Sequence, residues 1–66
     1  MRRNELRAYM AKYGDTNETL AQALGRSYVA FSQKINGKKP FTQTEIKIIL
    51  ERYHLEADDV QRIFFT

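Results

Sequence analysis

Glycine sets the rhythm of this chain: Gly14, Gly25 and Gly37 interrupt it at nearly even spacing, and Pro40 and the run from His54 to Ala57 supply further breaks. The five stretches between them are short, and each spaces its apolar residues by three and four rather than by two. A chain cut in this way builds short helices, and no stretch alternates as a strand would.

In the first segment Leu6, Met10 and Tyr13 share a stripe with Tyr9 beside it, and Gly14 supplies the stop. The second starts at Thr16, a good N-cap, and turns Leu20, Ala21 and Leu24 inward before Gly25. The third starts at Ser27 and runs to Asn36 with Phe31 and Ile35 as its apolar pair. The fourth has the clearest start: Thr42 and Glu45 spell a capping box, and Phe41 and Ile46 stand where a hydrophobic staple belongs. Ile46, Ile49, Leu50 and Tyr53 then form one stripe. The fifth starts near Glu56, places Asp58 and Asp59 where the helix dipole favours negative charge, and presents Val60, Ile63 and Phe64. The spacing therefore predicts an all-α, five-helix domain over residues 1–66. Its expected core is Leu6, Met10, Leu20, Leu24, Phe31, Ile35, Ile46, Ile49, Leu50, Val60 and Ile63.

Composition bounds the function. Hydrophobic residues make up 42% and charged residues 29%, a globular balance in a chain of 66 residues with no cysteine for disulfides or thiolate metal sites. MRRNELRAYM contains no apolar run suited to a signal peptide or a membrane span, so a cytoplasmic location is expected. The charge is unevenly spread. Residues 1–40 carry eight Lys and Arg against three Asp and Glu, whereas residues 41–66 carry three against five. A basic half of this kind suits a polyanion, although clustered surface charge alone produces the same count.

The informative stretch is TNETLAQALGRSYVAFSQKING, residues 16–37. Two short helices meet across a tight turn, with Ala21 small where they approach and Gly25 free to take the positive φ the turn requires. A side chain at Gly25 is expected to be strained and to crowd the turn. This stretch resembles the helix-turn-helix of the Cro and repressor (Xre-like) family in Leu20-Ala21, Leu24-Gly25, Ser27, Phe31 and Ile35-Asn36-Gly37. FSQKING followed by F-T-x-x-E-I is similar to small phage-encoded members in particular. The likeness extends over the flanking helices. It implies a lambda-repressor-like fold with the helix-turn-helix at about residues 17–36, and a small transcriptional regulator that binds double-stranded DNA with its third helix in the major groove. Arg26 departs from the pattern, since a small aliphatic residue commonly follows the turn glycine. Its stem would cover the same surface while its guanidinium reaches solvent or phosphate.

With Phe31 and Ile35 inward, steps of about 100° turn Val29, Ala30, Gln33 and Asn36 outward and leave Tyr28 and Ser32 on the flank. This face is small, uncharged and able to hydrogen-bond. The expected base contacts are Ser27, Tyr28, Val29, Ser32 and Gln33, with Gln33 matched to the adenine edge and Val29 to a thymine methyl. The resemblance implies backbone contacts from Asn17, Asn36, Gly37, Lys38 and Lys39. Arg26 joins these expected backbone contacts. Arg2 and Arg3 are counted with them as a short arm, their other reading being a solvated terminus. Lys34 has either direction open to it. Phe65 cannot share the inward direction of Ile63 and Phe64, so Phe64 and Phe65 are the expected contact of a weak homodimer on a pseudo-palindromic operator, the other reading being that Phe65 folds back over the first helix as a satellite of the core.

Other classes fit less well. His54 stands alone, without the companions a metal site or a catalytic pair needs, and Asp58 and Asp59 are explained by their helix turn. No enzyme activity, cofactor, metal, membrane association or small-molecule ligand is expected. The rival reading is a protein-interaction module on the same fold: an antitoxin, an anti-repressor or an adaptor to RNA polymerase.

Overall fold

The computed structural model describes residues 1–65. It contains five helices, α1 (Arg3–Lys12), α2 (Asn17–Ala23), α3 (Tyr28–Ile35), α4 (Gln43–Arg52) and α5 (Ala57–Phe64), and no strand among the described residues.

Local chemistry accounts for most boundaries. Thr16 accepts from the Thr19 amide and Thr19 Oγ1 accepts from the Thr16 amide, so α2 begins in a reciprocal box. Ser27 Oγ accepts from the Ala30 amide at 3.1 Å. Thr42 Oγ1 accepts from the Glu45 amide and Glu45 Oε1 from the Thr42 amide, the box written in the sequence. Before α5, Asp59 Oδ2 accepts from the Glu56 amide at 3.0 Å.

Three helices end on one device, and a fourth shares its left-handed residue and one of its two bonds. After α2, the Gly25 amide donates to the Gln22 carbonyl and the Arg26 amide to the Ala21 carbonyl, the paired reverse bonds of a Schellman motif. The bonds from Gly14 and Asp15 to Ala11 and Met10 repeat it, as do those from Gly37 and Lys38 to Lys34 and Gln33. At the end of α4 the left-handed position belongs to His54, with φ +54°, and the Leu55 amide donates to the Leu50 carbonyl.

The core gathers Leu6, Leu20, Phe31, Ile35, Ile49 and Ile63, all fully buried, with Met10, Ala21, Leu24 and Ile46 also buried. Leu50 and Val60 are only half-buried against it. Tyr53 and Leu55, absent from the expected core, are buried as well: Tyr53 continues the apolar stripe of α4, and the left-handed turn at His54 carries Leu55 inward. Tyr13 remains exposed at the end of its stripe, where its hydroxyl donates to the Tyr53 carbonyl at 3.1 Å.

α2 and α3 pack on each other, and α1 packs on α5. The Arg2 amide donates to the Ile63 carbonyl at 2.7 Å and so ties the chain start to the last helix. Across the opposite side, Asp15 accepts from Arg52 Nε and Nη2, from the Tyr53 hydroxyl and from Thr19 Oγ1. These bonds hold its carboxyl below the usual carboxylate range, the Arg52 bond most strongly and against the opposing effect of burial. Burial and the Asp15 carboxylate raise the Tyr53 hydroxyl above its ordinary pKa. The network fastens the junction of α1 and α2 to the end of α4.

Candidate nucleic-acid interface

α3 is anchored by Phe31 and Ile35, both fully buried, and everything it presents outward follows from that. Val29 is 66% exposed and Tyr28 53% exposed, so two large side chains stand in solvent at its start. Tyr28 is more prominent than its expected flank position, because it occupies the first turn, where no earlier turn covers it. Ala30, expected on the outward face, is half-buried. Ser32 and Gln33 are half-buried as well. Beside Gln33 the following loop folds back, with the Lys38 and Lys39 amides donating to its carbonyl at 2.8 and 3.3 Å.

Hydrogen bonding separates committed from available side chains. The Ser27 hydroxyl accepts the cap bond and retains its own proton for donation. Ser32 Oγ accepts from Asn36 Nδ2 at 3.3 Å, and Asn36 Oδ1 accepts from Arg3 Nη1 at 3.5 Å. This string joins the start of α1 to the end of α3. Arg3 already lies within α1, and Arg2 pairs with Glu5 at 3.4 Å while its amide is held by Ile63. Neither arginine therefore forms a projecting arm; both extend the basic rim at the end of α3. Asn17 is half-buried at the start of α2 and borders a shallow groove with Thr16, Glu18 and Tyr28.

Lys34, whose direction the sequence left open, and Arg26, an expected backbone contact, both turn toward one carboxylate. Lys34 Nζ donates to both oxygens of Glu45, at 2.6 and 2.7 Å, and Arg26 Nε donates to Oε2 at 2.7 Å. Lys34 is 12% exposed and the Glu45 side chain 2%, whereas Arg26 remains 46% exposed. Burial alone would raise the Glu45 carboxyl, but the bonds from Lys34, the Thr42 amide and Arg26 outweigh it and hold it down to about 2. The sequence marked Glu45 only as half of a capping box. A buried acidic side chain with two cationic partners was not legible there, because Arg26 and Lys34 reach it from another helix and another turn. Lys38 and Lys39 are exposed and have no ion-pair partner among the described residues.

Phe64 is half-buried, with its ring edge-on to Phe41 at 5.6 Å, and Phe41 meets Phe31 in the same manner at 6.1 Å. Phe65 is 58% exposed. It does not fold into the core, and it borders a groove of about 340 Å³ with Met1, Lys38, Lys39, Phe41 and Phe64. No helix of the described residues is long and apolar enough to cross a membrane. Compared with family models, with curated proteins and with solved structures, the chain matches none, so the reading of this surface rests on its own residues and geometry.

Proposed function

We propose that this protein binds double-stranded DNA sequence-specifically as a small regulator of transcription, a repressor of the Cro type, with α2 and α3 as a helix-turn-helix in a lambda-repressor-like domain. The observation that carries the reading is the face α3 presents from its first turn: Tyr28 and Val29 stand in solvent, and the half-buried Gln33 side-chain amide has no hydrogen-bond partner among the described residues, beside Lys38 and Lys39, which have no ion-pair partner among them. Exposed side chains able to meet base edges, rimmed by cations for phosphates, are the two components of groove recognition.

In this reading Ser27, Tyr28, Val29, Ser32 and Gln33 face the bases. Lys38, Lys39, Asn36, Asn17, Arg3 and Arg2 border the phosphates, and Arg26 contributes its terminal guanidinium nitrogens. Two copies bind a pseudo-palindromic operator through a weak contact at Phe64 and Phe65, since one recognition helix covers too few base pairs to select a site alone. The working location is the cytoplasm. Mobility shift against a pool of random-sequence duplexes tests the reading, with selection of a recurring half-site as the expected result. No binding at low salt, or binding with no preferred sequence, overturns it.

A further inference from the structure

A capping box requires one carboxylate oxygen, and Glu45 Oε1 meets that requirement at the Thr42 amide. The rest of the carboxylate does something else. Both of its oxygens receive Lys34 from the last turn of α3, and Oε2 receives Arg26 from the turn between α2 and α3. A lysine in the last turn of a surface helix, four residues before two exposed lysines, ordinarily extends into solvent. Lys34 is drawn in until 12% of its side chain remains exposed. Glu45 thus removes one cation from the basic rim and fixes another by its Nε, while Lys38 and Lys39 have no ion-pair partner among the described residues.

We propose that Glu45 is a positioning residue for DNA recognition, raising sequence specificity by withdrawing Lys34 from the phosphate backbone and locking α3 to the start of α4. The inference rests on the DNA-binding reading above. Non-specific affinity grows with the number of phosphates neutralised, whereas base contacts depend on the register of α3. Holding Lys34 on Glu45 lowers the sequence-independent contribution and leaves Val29 and Gln33 in place, so the ratio of specific to non-specific binding rises.

The test is the slope of log K against log salt, measured on a random duplex and on the selected site for the whole chain. Lys34→Gln leaves the slope unchanged, while Lys38→Gln reduces it by about one unit. Glu45→Gln frees Lys34, steepens the slope by about one unit and lowers the specific to non-specific ratio several-fold. A purely structural Glu45 would change the melting temperature and leave the slope alone. If Glu45→Gln does not fold, the Lys34→Gln comparison still decides: a slope reduced as far as that of Lys38→Gln overturns the proposal. An unchanged slope in folded Glu45→Gln overturns it too. Absence of DNA binding by the unaltered protein overturns the functional reading and this inference together, whereas binding with the wrong slopes overturns this inference alone.

Discussion

Arg52 grips Asp15 with two nitrogens, Nε at 2.8 Å and Nη2 at 2.7 Å, across 37 residues of sequence. The Tyr53 hydroxyl completes the grip at 2.7 Å. Asp15 is 6% exposed on its side chain while Arg52 is 38% exposed, so the acid is the buried partner and the arginine keeps contact with water. Removing the acid strands no buried charge, and the cost is that of lost charge-assisted hydrogen bonds. Asp15→Asn should lower unfolding free energy by about 2 kcal/mol, read as a lower midpoint in urea. A midpoint equal to that of the unaltered protein would show that the grip adds nothing.

Acid should dissolve the same contacts. Glu45, held down to about 2, and Asp15, held below its usual range, both bind fewer protons folded than unfolded in mild acid. Their contribution is therefore complete above the ordinary carboxylate range and is lost as pH falls from about 4.5 toward 2. Urea midpoints should be level from pH 7 to 5 and fall steadily below it, and Asp15→Asn should flatten that fall. A midpoint that does not move between pH 5 and 3 contradicts both assignments.

Gly25 and His54 occupy the same left-handed position at the ends of α2 and α4, with φ of +68° and +54°. The expected crowding at Gly25 is not found: a Cβ placed there meets no heavy atom within 4 Å. Only backbone strain opposes a side chain, so Gly25→Ala should cost about 1 kcal/mol and Gly25→Val about 2, with the domain still folded. His54→Gly should act in the opposite direction. It relieves that strain against the extra freedom of glycine in the unfolded chain, for a net gain of about 0.5 kcal/mol. Thermal melts of the three variants give the ordering, and a Gly25→Val protein without a cooperative melt refutes it.

Gln33→Ala should reduce affinity for the selected operator by about 1–3 kcal/mol at one or two base pairs while leaving binding to random duplex nearly intact. Val29→Ala should act similarly but more weakly at a thymine. Titrations over all single-base-pair variants of the operator separate the cases, and equal losses on operator and random DNA would remove both residues from base recognition.

Because Phe65 is more than half exposed, Phe65→Ser should leave the melting temperature nearly unchanged and weaken cooperative occupation of a palindromic site. Sedimentation at high concentration and mobility shifts on one and two half-sites measure it. Equal cooperativity with and without the phenylalanine excludes the contact.

The five helices were legible in the sequence because their causes are local. Caps act over three residues, apolar stripes over seven, and a glycine stop needs only its own φ, so Thr16, Ser27, the Thr42–Glu45 box and Gly14, Gly25 and Gly37 could be read in place. The same holds for Phe31 and Ile35, whose spacing alone orients α3. Tertiary structure decided what the polar side chains do. Nothing near Asp15 indicates Arg52, nothing near Glu45 indicates Lys34 and Arg26, and nothing near Arg3 indicates Asn36, because each pair is separated by eleven or more residues and meets only once the helices pack. The burial of Leu55 has a related cause: the break at His54 could be read, but a histidine carries no glycine's signature, so the left-handed turn that carries the chain inward showed only in its dihedral. Local chemistry writes where helices start and stop, while the partner of a charged side chain is chosen by packing, which brings together residues that no sequence window contains.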